Sequence, residues 1–224
     1  MIKTDVVEPM DYGNMVSESF AYAKEGVWGK WSKWILLIIS CIIFPLILGY
    51  MMRIFKGTKP APELEQWGGM FIDGIKLFVV ELIYAIPIII IELLLLGSTY
   101  LMYISNPAAI MAALGSIFAG VVVLLIVIII IELFLATACV RFARTNTLGD
   151  AFSFGVIMAH IGKIGWLTYF IALIIMTIIM GVISIILMLI PVVGIVLLFI
   201  VLPILVLFEA RYLCLLYDRA GTAA

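Results

Sequence analysis

From Ile164 to Phe208 the chain runs 45 residues without a lysine, arginine, aspartate or glutamate. One helical crossing of a bilayer takes about 20 residues, so this run predicts two crossings, with Pro191-Val-Val-Gly194 as the hairpin between them. The rest of the chain agrees with that solvent. Hydrophobic residues make up 66% and charged residues 12%, against roughly 25% charged in soluble domains, and the mean hydropathy is +1.32. An all-α integral membrane protein follows, and 224 residues leave room for four to six spans with little extramembrane mass.

Residues 1–33 carry five acids and four lysines, too polar for a secretory signal, and are expected to be retained as an N-terminal interfacial segment. Between about Asp11 and Trp31 the apolar residues Met15, Phe20, Ala23, Val27 and Trp31 recur at helical steps. The pattern suits a helix lying in the interface or one packed on the protein. Trp28, Trp31 and Trp34, interleaved with Lys30 and Lys33, form an aromatic and basic belt of the kind found at headgroup level.

The expected spans are about 34–52, 77–103, 109–139, 164–190 and 192–213 within a transmembrane domain 34–219, with 220–224 as a tail. Arg53 closes the first span. The polar loop after it ends at another interfacial tryptophan, Trp67, and a long helix begins near Gly68. Ser105-Asn106-Pro107 reads as a turn. Span three carries Ala112, Ser116 and Gly120 at four-residue spacing, a small-residue face for close helix packing, and ends at Arg141 and Arg144. Thr147 to Asp150 resembles a capping box opening a short interfacial helix, Leu148 to His160, before the last hairpin.

Basic residues lie in the connections after spans one, three and five and are absent after two and four, so the positive-inside rule puts the charged loops and the C-terminus in the cytoplasm. A simple first span then leaves the lysine-bearing N-terminus outside. Two half-helices broken at Pro45 and returning to the same side would keep all the basic residues inside. The simple span is favoured, because nineteen apolar residues match a bilayer and no glycine adjoins Pro45.

Gly49-Tyr50-Met51-Met52-Arg53, then Gly57, Pro62, Trp67, Phe71, Asp73-Gly74-Ile75-Lys76, Tyr84 and Pro87, resemble the signature stretch of the domain-of-unknown-function 4013 family. Arg141 to Arg144, Gly149 to Gly155, Ile190 to Gly194, Ala210 to Tyr212 and Leu216-Tyr217 are similar to its second half, so the likeness covers nearly the whole chain after the first dozen residues. The resemblance implies an uncharacterised polytopic membrane protein of a chiefly archaeal group. It implies no activity.

Two identical hexapeptides, Ile88 to Leu93 and Ile128 to Leu133, place Glu92 and Glu132 inside apolar runs, and Glu81 lies nearer the boundary. Ionisable groups inside spans are costly and mark functional sites by default. At ~1.5 Å per residue from Lys76 and Arg141, Glu92 lies about 10 Å deeper than Glu132, so no direct dyad is expected and Glu92 stands nearest mid-membrane. The acids fit two uses: hydrogen bonding within or between subunits, or a path for protons or cations.

His160, the single histidine, has no acid–base partner nearby in sequence. No HExxH, phosphate loop, GxSxG elbow or metal-ligand spacing occurs, and Cys41, Cys139 and Cys214 read as packing residues. The headgroup-level residues are Trp28, Trp31, Trp34, Trp67, Arg53, Arg141 and Arg144. The expected function is therefore a non-enzymatic structural component of the cell membrane, without cofactor, catalytic residue, metal or nucleic acid, whose partners are lipids and a second copy or another membrane protein. The alternative is a proton- or cation-coupled transporter or channel for an ion or small solute.

Overall fold

The structure is a computed structural model describing residues 10–106, 109–191 and 193–222. Among the described residues it holds eight α-helices, one 3-10 helix and no strand. The helices are α1 (Tyr12–Val27), α2 (Trp31–Ile42), α3 (Phe44–Phe55), α4 (Trp67–Ser105), α5 (Ala109–Thr145), α6 (Phe154–Ile164), α7 (Trp166–Met188) and α8 (Val193–Thr222). The 3-10 helix, Leu148–Phe152, joins α5 to α6. Four helices are long and apolar enough to cross a membrane, and the count becomes five if α2 and α3 together make one span. The chain is a multi-pass helical membrane protein.

Its interior lies at one end. No described residue between Tyr84 and Thr137 is buried, and between Leu173 and Pro203 only Gly194 is. Two apolar arms result: the outer halves of α4 and α5, and the outer halves of α7 and α8. Within each arm the helical ladder pairs most backbone groups along the same helix, Pro87 of α4 and Pro203 of α8 being the interruptions, which lets the side chains face hydrocarbon. Gly120 of α5 meets Leu95 of α4, so one of the three small residues of span three packs as its spacing predicts; the side chains of Ala112 and Ser116, and Pro107 of the expected turn, lie outside the described residues. In the other arm Gly194 closes against the carbonyl of Leu187, at the predicted hairpin.

The packed base is built from α1, Leu37 of α2, α3, the first half of α4, the end of α5, α6, the first two turns of α7 and the second half of α8. Two glycines bring α3 and α4 together: a Cβ on Gly49 would strike the Met70 carbonyl, and one on Gly74 the Pro45 carbonyl. Side-chain-free contact of this kind lets backbones approach further than any other pair of residues allows. Helix α1 starts at Asp11, whose carboxylate accepts the Asn14 N–H. It buries Tyr22, Ala23 and Val27, and Phe20 meets Phe208 of α8 with ring centroids 4.4 Å apart. The N-terminal helix thus packs on the protein.

Two expectations need correction. Residues 34–52 do not form one straight span: the chain bends by 120° between α2 and α3, with Ile43 outside helical geometry between them. Proline supplies no N–H to bond Cys41 and is suited to a first helical turn, so Pro45 opens α3 instead of continuing α2. The short helix also differs, because Thr147 makes no side-chain cap and the segment divides at Ser153 into the 3-10 helix and α6. Tyr84 takes the carbonyl of Ala151, which holds the 3-10 helix against α4.

Candidate functional site: a carboxylate-lined cleft between two arms

Where the two arms leave the base, a partly open cavity of about 350 Å³ is lined by side chains of α3, α4, α5, α7 and α8. Three of them are carboxylates: Glu81 of α4, Glu132 of α5 and Glu209 of α8. The remainder is mainly apolar, including Met51, Phe55, Leu173 and Met176, with Cys139 and Thr177 as the other polar groups. No ion pair to any of the three acids forms among the described residues, and no group of three His, Cys, Asp or Glu side chains there could hold a metal ion. Three like charges facing one low-dielectric space without a cation favour taking up protons or a positive guest.

The chain positions these acids by a common depth. Glu132 precedes Arg141 by nine residues, Glu209 precedes Asp218 by nine, and Glu81 follows Asp73 by eight. At ~1.5 Å per residue each lies about 12–14 Å from a charged layer at the base. That layer is tied together by Arg144, which donates to the Phe55 carbonyl and to both oxygens of Asp218 at 3.0 and 3.1 Å, joining α3, α5 and α8. Arg141 pairs with Asp150 at 3.3 Å. Arg53 donates to the carbonyls of Glu63 and Glu65 and so fixes the loop before α4.

The sequence singled out Glu81 and Glu132, and the fold brings them to one cavity. Glu92 is elsewhere. It stands exposed on α4, eleven residues outward from Glu81, beside exposed Leu93 and Leu94. Glu209, the first charged residue after the long uncharged run, is the cleft acid absent from the sequence expectations. Its distance from Asp218 equals that of Glu132 from Arg141, a match of depth that was available without coordinates.

Of the tryptophans, Trp28 and Trp31 are 67% and 68% exposed, Trp34 donates to the Ile200 carbonyl at 2.8 Å, and Trp67 opens α4. His160 lies against Tyr217, ring centroids 3.9 Å apart, with Nε2 2.9 Å from the Tyr217 carbonyl; burial holds its pKa below the ordinary value. The three cysteines are free, and the Cys214 thiol donates to the Ile54 carbonyl. On α1, Glu18 accepts from Lys59 at 2.7 Å and from Arg211, whose side chain is 3% exposed. The Lys59 and Arg211 hydrogen bonds hold the Glu18 carboxyl below the usual carboxylate range.

No curated protein and no solved structure matches this chain. One family model does, over residues 34–192, a stretch that contains Glu81 and Glu132 and stops short of Glu209. The chain belongs to the family described as Protein of unknown function (DUF4013).

Proposed function

We propose that this is a non-enzymatic multi-pass protein of the cell membrane that takes protons or a cation into the cleft between its arms and couples their passage to transport. One observation carries the reading: carboxylates from three helices, Glu81, Glu132 and Glu209, line one cavity without an ion-paired partner among the described residues. Intramembrane acids that face a bundle interior or a cavity are the usual means of carrying protons and cations part-way across a bilayer. Acids on separate helices add a way to sense occupancy, since neutralising their mutual repulsion favours a closer approach of the helices. In this reading the charged base faces the cytoplasm, as the distribution of Lys and Arg in the connections favours.

The test is cation and proton flux into liposomes containing the purified protein. Flux should fall strongly in Glu81→Gln, Glu132→Gln and Glu209→Gln and persist in Glu92→Gln, which lies outside the cavity. Wild-type flux that survives all three cavity substitutions would remove the carboxylates from the mechanism.

A second reading rests on Glu92. A carboxylate exposed among leucines on an arm favours contact with a second copy or another membrane protein, in which the protein also organises surrounding lipid. Native mass spectrometry from lipid nanodiscs tests it: an oligomer that Glu92→Leu dissociates supports this reading, and a monomer without co-purifying protein sinks it.

A further inference from the structure

On the outer side of the α4–α5 pair, away from the carboxylates, a second cavity of about 250 Å³ opens between the helices and the segment that follows α5. Ile83 and Pro87 of α4, Ile130 and Phe134 of α5, and Phe152 and Phe154 form it. Tyr84 contributes only its ring, since its hydroxyl is spent on the Ala151 carbonyl at 2.7 Å. Ile83, Ile130 and Phe154 are exposed at its rim. Aromatic edges wall it: Phe154 meets Tyr84 at 5.9 Å and Phe134 at 5.9 Å. Such a space offers no hydrogen bond to water or to a polar solute and favours hydrocarbon.

The charges beside this groove narrow the occupant. Seven residues turn a helix almost two full turns, so Lys76 shares a face of α4 with Ile83 and Arg141 shares a face of α5 with Phe134. Because the helices are antiparallel, both cations lie at the same end, about 10 Å along the axis from the groove. Arg141 is matched by Asp150. Lys76 is not fully matched: it stands 3.6 Å from Asp73, and that one carboxylate also serves Lys56 at 3.7 Å. Two half-exposed lysines against one aspartate leave a positive charge at headgroup distance from an apolar slot. We propose that the groove holds a hydrocarbon chain of an anionic membrane lipid, with the headgroup on Lys76 and Lys56. This site is separate from the carboxylate cleft, and the two readings fail independently.

Trp166 reports on the groove, because its ring centroid is 6.4 Å from that of Phe134. In a variant keeping only this tryptophan, reconstituted in phosphatidylcholine vesicles, chain-brominated phosphatidylglycerol should quench Trp166 about twofold more than equally brominated phosphatidylcholine. Lys76→Gln should erase the difference between the two lipids, and Ile130→Phe, which fills the slot, should lower quenching by both. Equal quenching by both lipids that Ile130→Phe leaves unchanged would mean annular lipid only and overturn the proposal. Native mass spectrometry of the unaltered chain gives a second reading that needs no tryptophan changes. Retention of phosphatidylglycerol over phosphatidylcholine, lost in Ile130→Phe, supports the site; release of both lipids alike refutes it.

Discussion

Replacing Gly74 by alanine tests whether the α3–α4 crossing holds the base together. The added Cβ would fall on the Pro45 carbonyl oxygen, far inside the 3.0 Å that real Cβ atoms keep from their neighbours. The obstacle is backbone, so no side chain can swing aside; α3 and α4 must separate along the contact that also holds Gly49 against Met70. Overpacking in a core costs about 1–3 kcal/mol, and a backbone obstacle puts this case at the top of that range. About 3 kcal/mol is roughly a 100-fold loss in the folding equilibrium. Gly97→Ala supplies the control, because nothing lies within 4 Å of a Cβ there and the helix gains up to about 1 kcal/mol of propensity. Both variants are unfolded in mixed micelles by increasing denaturing detergent, followed by circular dichroism. Gly74→Ala should unfold at markedly lower detergent than the parent and Gly97→Ala should not. Equal midpoints for the two variants would refute the close crossing.

Arg144→Ala removes the donor that joins the Phe55 carbonyl to Asp218, and should cost about 2 kcal/mol in the same unfolding assay. Tyr169→Phe removes the hydroxyl that donates to the Leu133 carbonyl at 2.8 Å and accepts from Thr137 at 2.9 Å; the buried Thr137 loses its acceptor, and a loss of about 1–3 kcal/mol is expected. Glu18 has a depressed pKa in the folded chain, so its contribution to holding α1 is present above the ordinary carboxylate pKa and is lost as pH falls through the folded value. Hydrogen exchange of residues 12–27 should therefore quicken in acid, and Glu18→Gln should show the faster exchange already at neutral pH, with the acid step diminished.

The long helices were legible because they answer to one cause. Apolar runs bounded by charge locate α5, α7 and α8 to within a few residues at most ends; the break between α7 and α8 lies at Leu189 to Pro191 among the described residues, at the start of the expected hairpin, while Val193 and Gly194 already belong to α8. The bend between α2 and α3 was less legible: composition shows that nineteen residues avoid water, and says nothing of whether they do so in a straight line. The missing glycine near Pro45 argued against a turn, yet a single non-helical residue, Ile43, suffices. The cavity was half legible. Glu81 and Glu132 drew notice as acids in apolar surroundings, whereas Glu209 lies one residue past the long uncharged run and looked like its boundary. Depth along a helix places acids at one level. Only the packing of α8 beside α5 brings the third to the same space.

A chain whose interior is confined to one end has its stability and its shape set by different media. The base keeps itself together through its own contacts, and an assay that reports unfolding reads the base. The arms have few buried contacts of their own, so the spacing of their outer halves is expected to respond to bilayer thickness. Detergent micelles can therefore hold a fully folded protein with a cleft of the wrong width. Tests of the proposed ion uptake belong in bilayers, and the dependence of any flux on acyl-chain length would itself read out how the arms are held apart.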